Sequence, residues 1–296
     1  MSLWCRTLTW FDPPAMIALI HIKKTAGKTL KHIMRCEFGL SHCDVKRWHA
    51  KADCFNAADL RRLQRVNPWV RSIAGHSVRS FSDLDQASPD LRFYTFLRDP
   101  IKRCISEYQY SVAQGRWPEG SFDRWIEDPH YRDVQCDSLV GCADADAAID
   151  QIERRIAFVG VTERFDESMA LMQSYLELPH FRPLQKRVNA ARDNRIRDAL
   201  LADPAAMAKI HEANRADTRV FDYVLSEVYP RQQQRATRVQ IGASGKASAG
   251  VAARQYNARF WINGLHRFLV YKPVLSVYRA FEGPKTTTRK PSQQRL

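Results

Sequence analysis

The feature that most constrains this chain is a strand, loop and helix unit near its start. Residues 16–22 (MIALIHI) form an apolar run between Pro13-Pro14 and a Lys- and Gly-containing loop. A run of that length and composition reads as a strand buried on both faces. Leu30, Ile33, Met34 and Phe38 then recur at helical spacing, and Gly39 can cap the helix they define. The same grammar returns at 93–97 (FYTFL), which leads into Arg98-Asp99-Pro100 and a helix through Ile101, Ile105, Tyr108 and Val112. Asp99 suits the N-cap and Pro100 the first helical position. A third strand is expected at 158–162 (FVGVT), followed by an acidic helix start and apolar Met169, Met172 and Leu176. Strands alternating with helices predict a three-layer α/β domain: a parallel sheet flanked by helices, with P-loop nucleotide-binding-like architecture.

The periodic segment 204–229 predicts a long helix, broken at most once. Beyond Tyr229-Pro230 the sequence turns polar and rich in Gly, Ser and Ala, so residues 1–230 are expected to form the body and 231–254 a linker. Residues 255–296 then form a basic amphipathic tail. Charge marks the same boundary. From Arg231 to Leu296 there are thirteen Lys and Arg against one acid, Glu282, whereas residues 1–230 hold 33 bases and 31 acids. The body is nearly neutral and the tail carries most of the formal net charge of +14. That distribution argues against a nucleic-acid-binding body and leaves a polyanion-binding tail as the non-enzymatic competitor.

Seven scattered cysteines never form the Cys-x-x-Cys spacing of a zinc or redox site, so reduced thiols in a cytoplasmic protein are expected. No metal is expected. Neither a signal peptide nor an apolar stretch of spanning length is found in the sequence, so the expectation is a cytoplasmic protein, peripheral at most at the inner membrane face.

A loop that delivers a strand onto a helix N-terminus makes an anion site, because backbone N–H groups and the positive end of the helix dipole converge there. The loop here, HIKKTAGKTL at 21–30, ends in Gly27-Lys28-Thr29, as an ATP-binding P-loop does. That motif needs a glycine five residues before Gly27, where the sequence has Ile22, which fits poorly. A kinase using Lys28 therefore stands as the weaker enzymatic reading. In the stronger one, Lys24 is the key cation and the amides from Thr25 onward hold a 5′-phosphate-like group.

HIKKTAGKTL resembles the 5′-phosphosulfate loop of sulfotransferases that use 3′-phosphoadenosine 5′-phosphosulfate, and FYTFLRDPIKRCISEY at 93–108 resembles their 3′-phosphate-binding strand and helix. IAGHS at 73–77, FVGVTERFDESMALM at 158–172 and HEANRADTRVFDYVLSEVY at 211–229 extend the resemblance over residues 16 to about 230. Within that family the likeness is to carbohydrate O-sulfotransferases of the heparan sulfate 2-O and 6-O type. Lys23 stands where those enzymes carry Pro or another uncharged residue, and Lys28 where they carry Thr or Ser.

The resemblance implies that Lys24 stabilises the leaving oxygen while Thr25, Ala26, Gly27, Lys28 and Thr29 hold the 5′-phosphate. Arg98 and Ser106 would hold the 3′-phosphate, by a planar charged fork and a hydroxyl donor. His76, in IAGHS, is the expected general base toward a saccharide or glycolipid hydroxyl. Sulfuryl transfer by lysines and a histidine asks for no Mg²⁺. A protein-tyrosine acceptor is the alternative within the class, since donor loops do not select the acceptor.

Other residues are weighed lower. Arg103 is expected at the surface or beside Glu107, and His21 as a buried strand residue. Arg182, Lys186, Arg187 and Asn189 of FRPLQKRVN are weak candidates for cofactor or acceptor contact. Tyr108, Tyr110 and Trp117 could stack on a sugar, though core packing is favoured. The tail suits an anionic membrane surface, with docking onto the body or guidance of a polyanionic acceptor as the other readings.

Overall fold

The computed structural model describes residues 16–49, 52–176, 194–242 and 256–281. In chain order its elements are β1 (Ile17–Ile20), α1 (Gly27–Phe38), β2 (His42–Asp44), α2 (Ala57–Val66), β3 (Ser72–Gly75), β4 (Arg92–Leu97) and α3 (Pro100–Ala113). There follow α4 (Phe122–Glu127), α5 (Val134–Val140), α6 (Ala145–Arg155), β5 (Ile156–Val161), α7 (Phe165–Tyr175), α8 (Arg195–Ala202), α9 (Pro204–Ala213), α10 (Arg215–Tyr223) and α11 (Tyr229–Gly242). The last pair is α12 (Ala258–His266) and α13 (Lys272–Phe281), joined without interruption by a π-helical turn at Arg267–Tyr271.

The strands form one parallel sheet in the order β2-β3-β1-β4-β5, covered by helices. β1 lies at its centre and is buried throughout, which explains its unbroken apolar run. Ile20 stands level with Gly75 of β3 on one side and Thr95 of β4 on the other, so the C-terminal ends of these three strands lie in a row. The buried face of α1, with Leu30, Ile33 and Met34, joins the main core. Gly39 ends that helix with a φ of 52°, a conformation a side chain would resist. Asp99 caps α3, its Oδ1 accepting from the Lys102 amide at 2.8 Å, with Pro100 following. A second cluster, built on Tyr108, Trp125 and Ile210, packs beneath α3.

Two expectations change. The helix expected over 204–229 is broken at Asn214 into α9 and α10, but then continues past Tyr229 to Gly242, through residues read as linker. The reason lies at the edge strand β5. Gln232 is buried there, its Oε1 accepting from the Val159 N–H at 2.9 Å and its Nε2 donating to the Val159 carbonyl at 2.8 Å. A glutamine thus covers backbone groups that an edge strand would leave unpaired.

The tail helices also lie against the body. Asn263, buried, donates from Nδ2 to the carbonyls of Gly39 and His42 at 2.8 and 2.6 Å. Asn257 donates to the Cys36 carbonyl at 2.9 Å, Arg267 to Asp44 at 2.8 Å, and the Lys46 amide to the Tyr271 hydroxyl at 3.1 Å. Among the described residues no helix is long and apolar enough to cross a membrane.

Candidate active site

The chain leaves β1 toward the β2 edge of the sheet and leaves β4 toward the β5 edge. Where neighbouring strands send the chain in opposite directions, a crevice opens at their C-terminal ends, and open α/β sheets bind ligands there. The loops after β3, β1 and β4 carry His76, Lys24 and Arg98, so the three residues expected from sequence surround one crevice.

The β1–α1 loop is shaped for an anion. Lys24 and Ala26 take left-handed φ values of 66° and 63°, although neither is glycine. Each such residue costs about 1 kcal/mol or more, and such costs persist where the loop geometry has a use. Alternating backbone handedness turns successive N–H groups toward one concavity. Ala26 is the N-cap of α1 and offers no side-chain acceptor, so the first amides of the helix, those of Gly27, Lys28 and Thr29, keep their donors for a ligand. Thr25 is buried, and its Oγ1 ties the loop to the Ile22 carbonyl at 3.2 Å. Ile22 is buried in the core and does not take the left-handed backbone found at Lys24 and Ala26, so it does not play the glycine's part in an ATP-binding motif.

Two ammonium groups of this loop gather at the Tyr110 ring of α3. The Nζ atoms of Lys24 and Lys28 lie 4.3 and 5.1 Å from the centre of the Tyr110 ring, and the Arg116 guanidinium lies 5.4 Å from the same ring. An aromatic face gathers cations in this way. Burial holds the Lys24 pKa below its ordinary value, with Lys28 and Arg98 acting in the same direction and Glu107 against them. An incoming anion would reverse that shift. The loop therefore fits a phosphate or sulfate group by backbone shape, by free donors and by charge.

Arg98 joins the second motif to the first. Its Nη1 donates to the Lys24 carbonyl at 3.1 Å, and its Nε lies 3.8 Å from Glu163 Oε1. Its backbone is clamped by Gln135, whose Oε1 accepts from the Arg98 N–H at 3.0 Å and whose Nε2 donates to the Arg98 carbonyl at 2.9 Å. Ser106, half-buried on α3, shares a helix row with Lys102 and Tyr110, so it lies one turn before the ring that the loop lysines touch.

His76 follows β3. Its Nδ1–H donates to the His21 carbonyl at 2.7 Å, which leaves Nε2 as the ring's acceptor. The His21 ring stacks on it at 3.9 Å. Burial lowers the His76 pKa below its ordinary value, the bond to His21 opposes this, and Lys31, Lys23 and Arg79 lower it further. These causes favour the neutral ring of His76. His21 is buried more deeply and its pKa is pushed down to about 2, first by burial and then by His76 and the neighbouring lysines.

A sulfotransferase family model matches residues 8–224. The chain belongs to the sulfotransferase family. Sulfuryl transfer is therefore its class of reaction. Among solved structures it is similar to a sulfotransferase from Alicyclobacillus acidocaldarius, with 16% identity over 67% of this chain and 95% of that one and a TM-score of 0.36. No curated protein sequence matches it.

Within this sulfotransferase, the structure brings together Lys24, Thr25, Ala26, Gly27, Lys28, Thr29, Arg98 and His76 and places Ser106 on the adjoining helix. Arg103 corrects its expectation. It is wholly buried, within 4.0 Å of Asp217 and 3.3 Å of Asn214 Oδ1, because α10 and the residue that precedes it supply partners more than a hundred residues away. Tyr108 packs in the core against Trp125 and Phe122, as favoured, whereas Tyr110 turns to the lysines. Arg182, Lys186, Arg187 and Asn189 lie outside the described residues. Sequence reasoning missed Gln135 and Glu163 as partners of Arg98, and no local signal marks them.

Proposed function

We propose that the protein transfers a sulfuryl group from 3′-phosphoadenosine 5′-phosphosulfate to a saccharide hydroxyl. The loop from Lys24 to Thr29 holds the 5′-phosphosulfate, and Arg98 with Ser106 holds the 3′-phosphate. His76 Nε2 accepts the proton of the attacking hydroxyl. A bond forms between that oxygen and sulfur as the bond from sulfur to the bridging oxygen breaks. Lys24, and Lys28 beside it, offset the negative charge that develops on the departing oxygen. Adenosine 3′,5′-bisphosphate is the second product, and the proton rests on His76.

The observation that carries this reading is the hydrogen bond from Arg98 to the Lys24 carbonyl at 3.1 Å. It ties the two phosphate-binding motifs, 74 residues apart, into one crevice with His76 at its edge. A saccharide acceptor is supported by the Gly75-His76 pair in IAGHS, which resembles the 2-O-type enzymes. The cations near His76, namely Lys23, Lys31 and Arg79, favour an acidic saccharide.

Calorimetric titration with adenosine 3′,5′-bisphosphate and with ADP tests the donor. The bisphosphate should bind at least about tenfold more tightly, since ADP leaves Arg98 without its phosphate. Equal or tighter binding of ADP refutes the assignment. Radiolabelled sulfate appearing on a tyrosine peptide but on no polysaccharide would overturn the acceptor while leaving the donor intact.

A further inference from the structure

We infer that the outer face of α12 and the following turn seats on an anionic lipid bilayer. Much of this helix's docking is polar. A helix on a soluble domain turns its apolar stripe to the core and its polar side to water. Here Asn257, Asn263 and Arg267 face the body and are consumed by Cys36, Gly39, His42 and Asp44. Phe260 packs inward on His32, and Tyr271 and Leu275 join the core, but a second set of apolar side chains is turned outward. Trp261, Leu265, Phe268 and Leu269 are 62%, 60%, 68% and 72% exposed, at spacings of four, three and one that place them on one face. Ile262 widens the patch. A contiguous apolar surface of this kind marks a contact with something else.

Charge identifies the partner. Residues 231–281 contain no Asp or Glu. Beside the patch lies an open pocket of about 200 Å³ lined by Lys46, Arg267, Lys272 and Arg279, with Asp44 as its sole carboxylate. Asp44 is already paired with Arg35 and Arg267, so the pocket's remaining charge is positive. Lys272 ties the pocket to the patch, its Nζ lying 3.9 Å over the exposed Phe268 ring. An apolar face bearing Trp, Phe and Leu, bordered by a cationic pocket, matches a bilayer whose acyl boundary takes the rings and whose phosphates take the cations. A second copy of this chain is a poor match, because it would bring a net charge of +14 against another +14.

The test uses the full chain and no nucleotide, so its outcome is separate from that of the sulfuryl-transfer assignment. Sedimentation with vesicles of mixed phosphatidylcholine and phosphatidylglycerol should carry the protein down, and vesicles of pure phosphatidylcholine should do so far less. The double variant Leu265→Ser/Phe268→Ser should lower partitioning at least about tenfold, since each side chain withdraws substantial apolar area from the bilayer. Both positions are mostly exposed, so the unfolding transition should stay in place. Lys272→Glu, also at the surface, should weaken binding to the anionic vesicles alone. The inference is overturned if the unaltered chain ignores anionic vesicles or if the double variant binds as well as the parent. It is equally overturned if, without lipid, the chain forms dimers that the double variant dissolves, which would make the face an interface between copies.

Discussion

Gly27→Ala isolates the packing that holds the candidate base. In a helix, alanine is favoured over glycine by at most about 1 kcal/mol, and residue 27 is the first of α1, so propensity alone predicts a slight gain. Packing predicts the opposite. A Cβ at this position would lie 1.8 Å from Cδ2, 2.0 Å from Nε2 and 2.8 Å from Cγ of His21. The whole ring would have to move, and it is stacked on His76, which is anchored to the His21 carbonyl. Overpacking of this sort costs about 1–3 kcal/mol, so the clash outweighs the propensity gain and a net loss of about 1–2 kcal/mol is expected.

A double-mutant cycle assigns the cause. His21→Ala removes the ring and is costly in itself, but in that background Gly27→Ala should be neutral or stabilising. The coupling energy should therefore be about 1–3 kcal/mol. Urea unfolding of the four proteins at neutral pH, followed by far-ultraviolet circular dichroism, measures it. Should Gly27→Ala raise the midpoint in the parent chain, or the coupling be nil, the His21–His76 stack is not the constraint described.

Three further outcomes test the candidate base and the docked tail. His76→Asn should cut turnover at least about a hundredfold while leaving affinity for adenosine 3′,5′-bisphosphate unchanged. In the parent chain, kcat/KM should be flat near neutrality and fall only as pH drops through a pKa below 6.5, because the folded state depresses the His76 pKa and the base must be unprotonated. An acidic limb centred above that value contradicts the assignment. Asn263→Ala should destabilise the chain by about 2 kcal/mol by removing both bonds of a buried amide and leaving the His42 carbonyl without its side-chain donor, and limited proteolysis should then release the 256–281 segment.

The part of the fold legible in sequence is the part written in local chemistry. β1 shows because it is a central strand with an unbroken apolar run, and α3 because Asp99 and Pro100 announce its start. The β1–α1 loop is legible for the same reason, since its strand, small residues and helix are contiguous. What escaped reading depends on distant partners. β2 and β3 are three and four residues long and carry His42, Asp44 and Ser72, polar residues that suggest surface until His42 Nδ1 is seen 2.9 Å from Ser72 Oγ within the sheet. Gln232 reads as linker until it meets the edge of β5, and Arg103 as solvated until Asp217 and Asn214 arrive from the far end of the body.

The tail states the limit most sharply. Periodicity shows that α12 is amphipathic, but the side that docks is set by distant partners: the Gly39 and His42 carbonyls for Asn263, the Cys36 carbonyl for Asn257, Asp44 for Arg267 and the His32 ring for Phe260. Asn263 donates from one amide group to two carbonyls of the α1–β2 connection, that of Gly39, which also accepts from the His42 N–H, and that of His42 at the start of β2. Satisfying them turns Trp261, Leu265 and Phe268 toward the outside, so a polar requirement inside the fold is what creates the apolar surface on it.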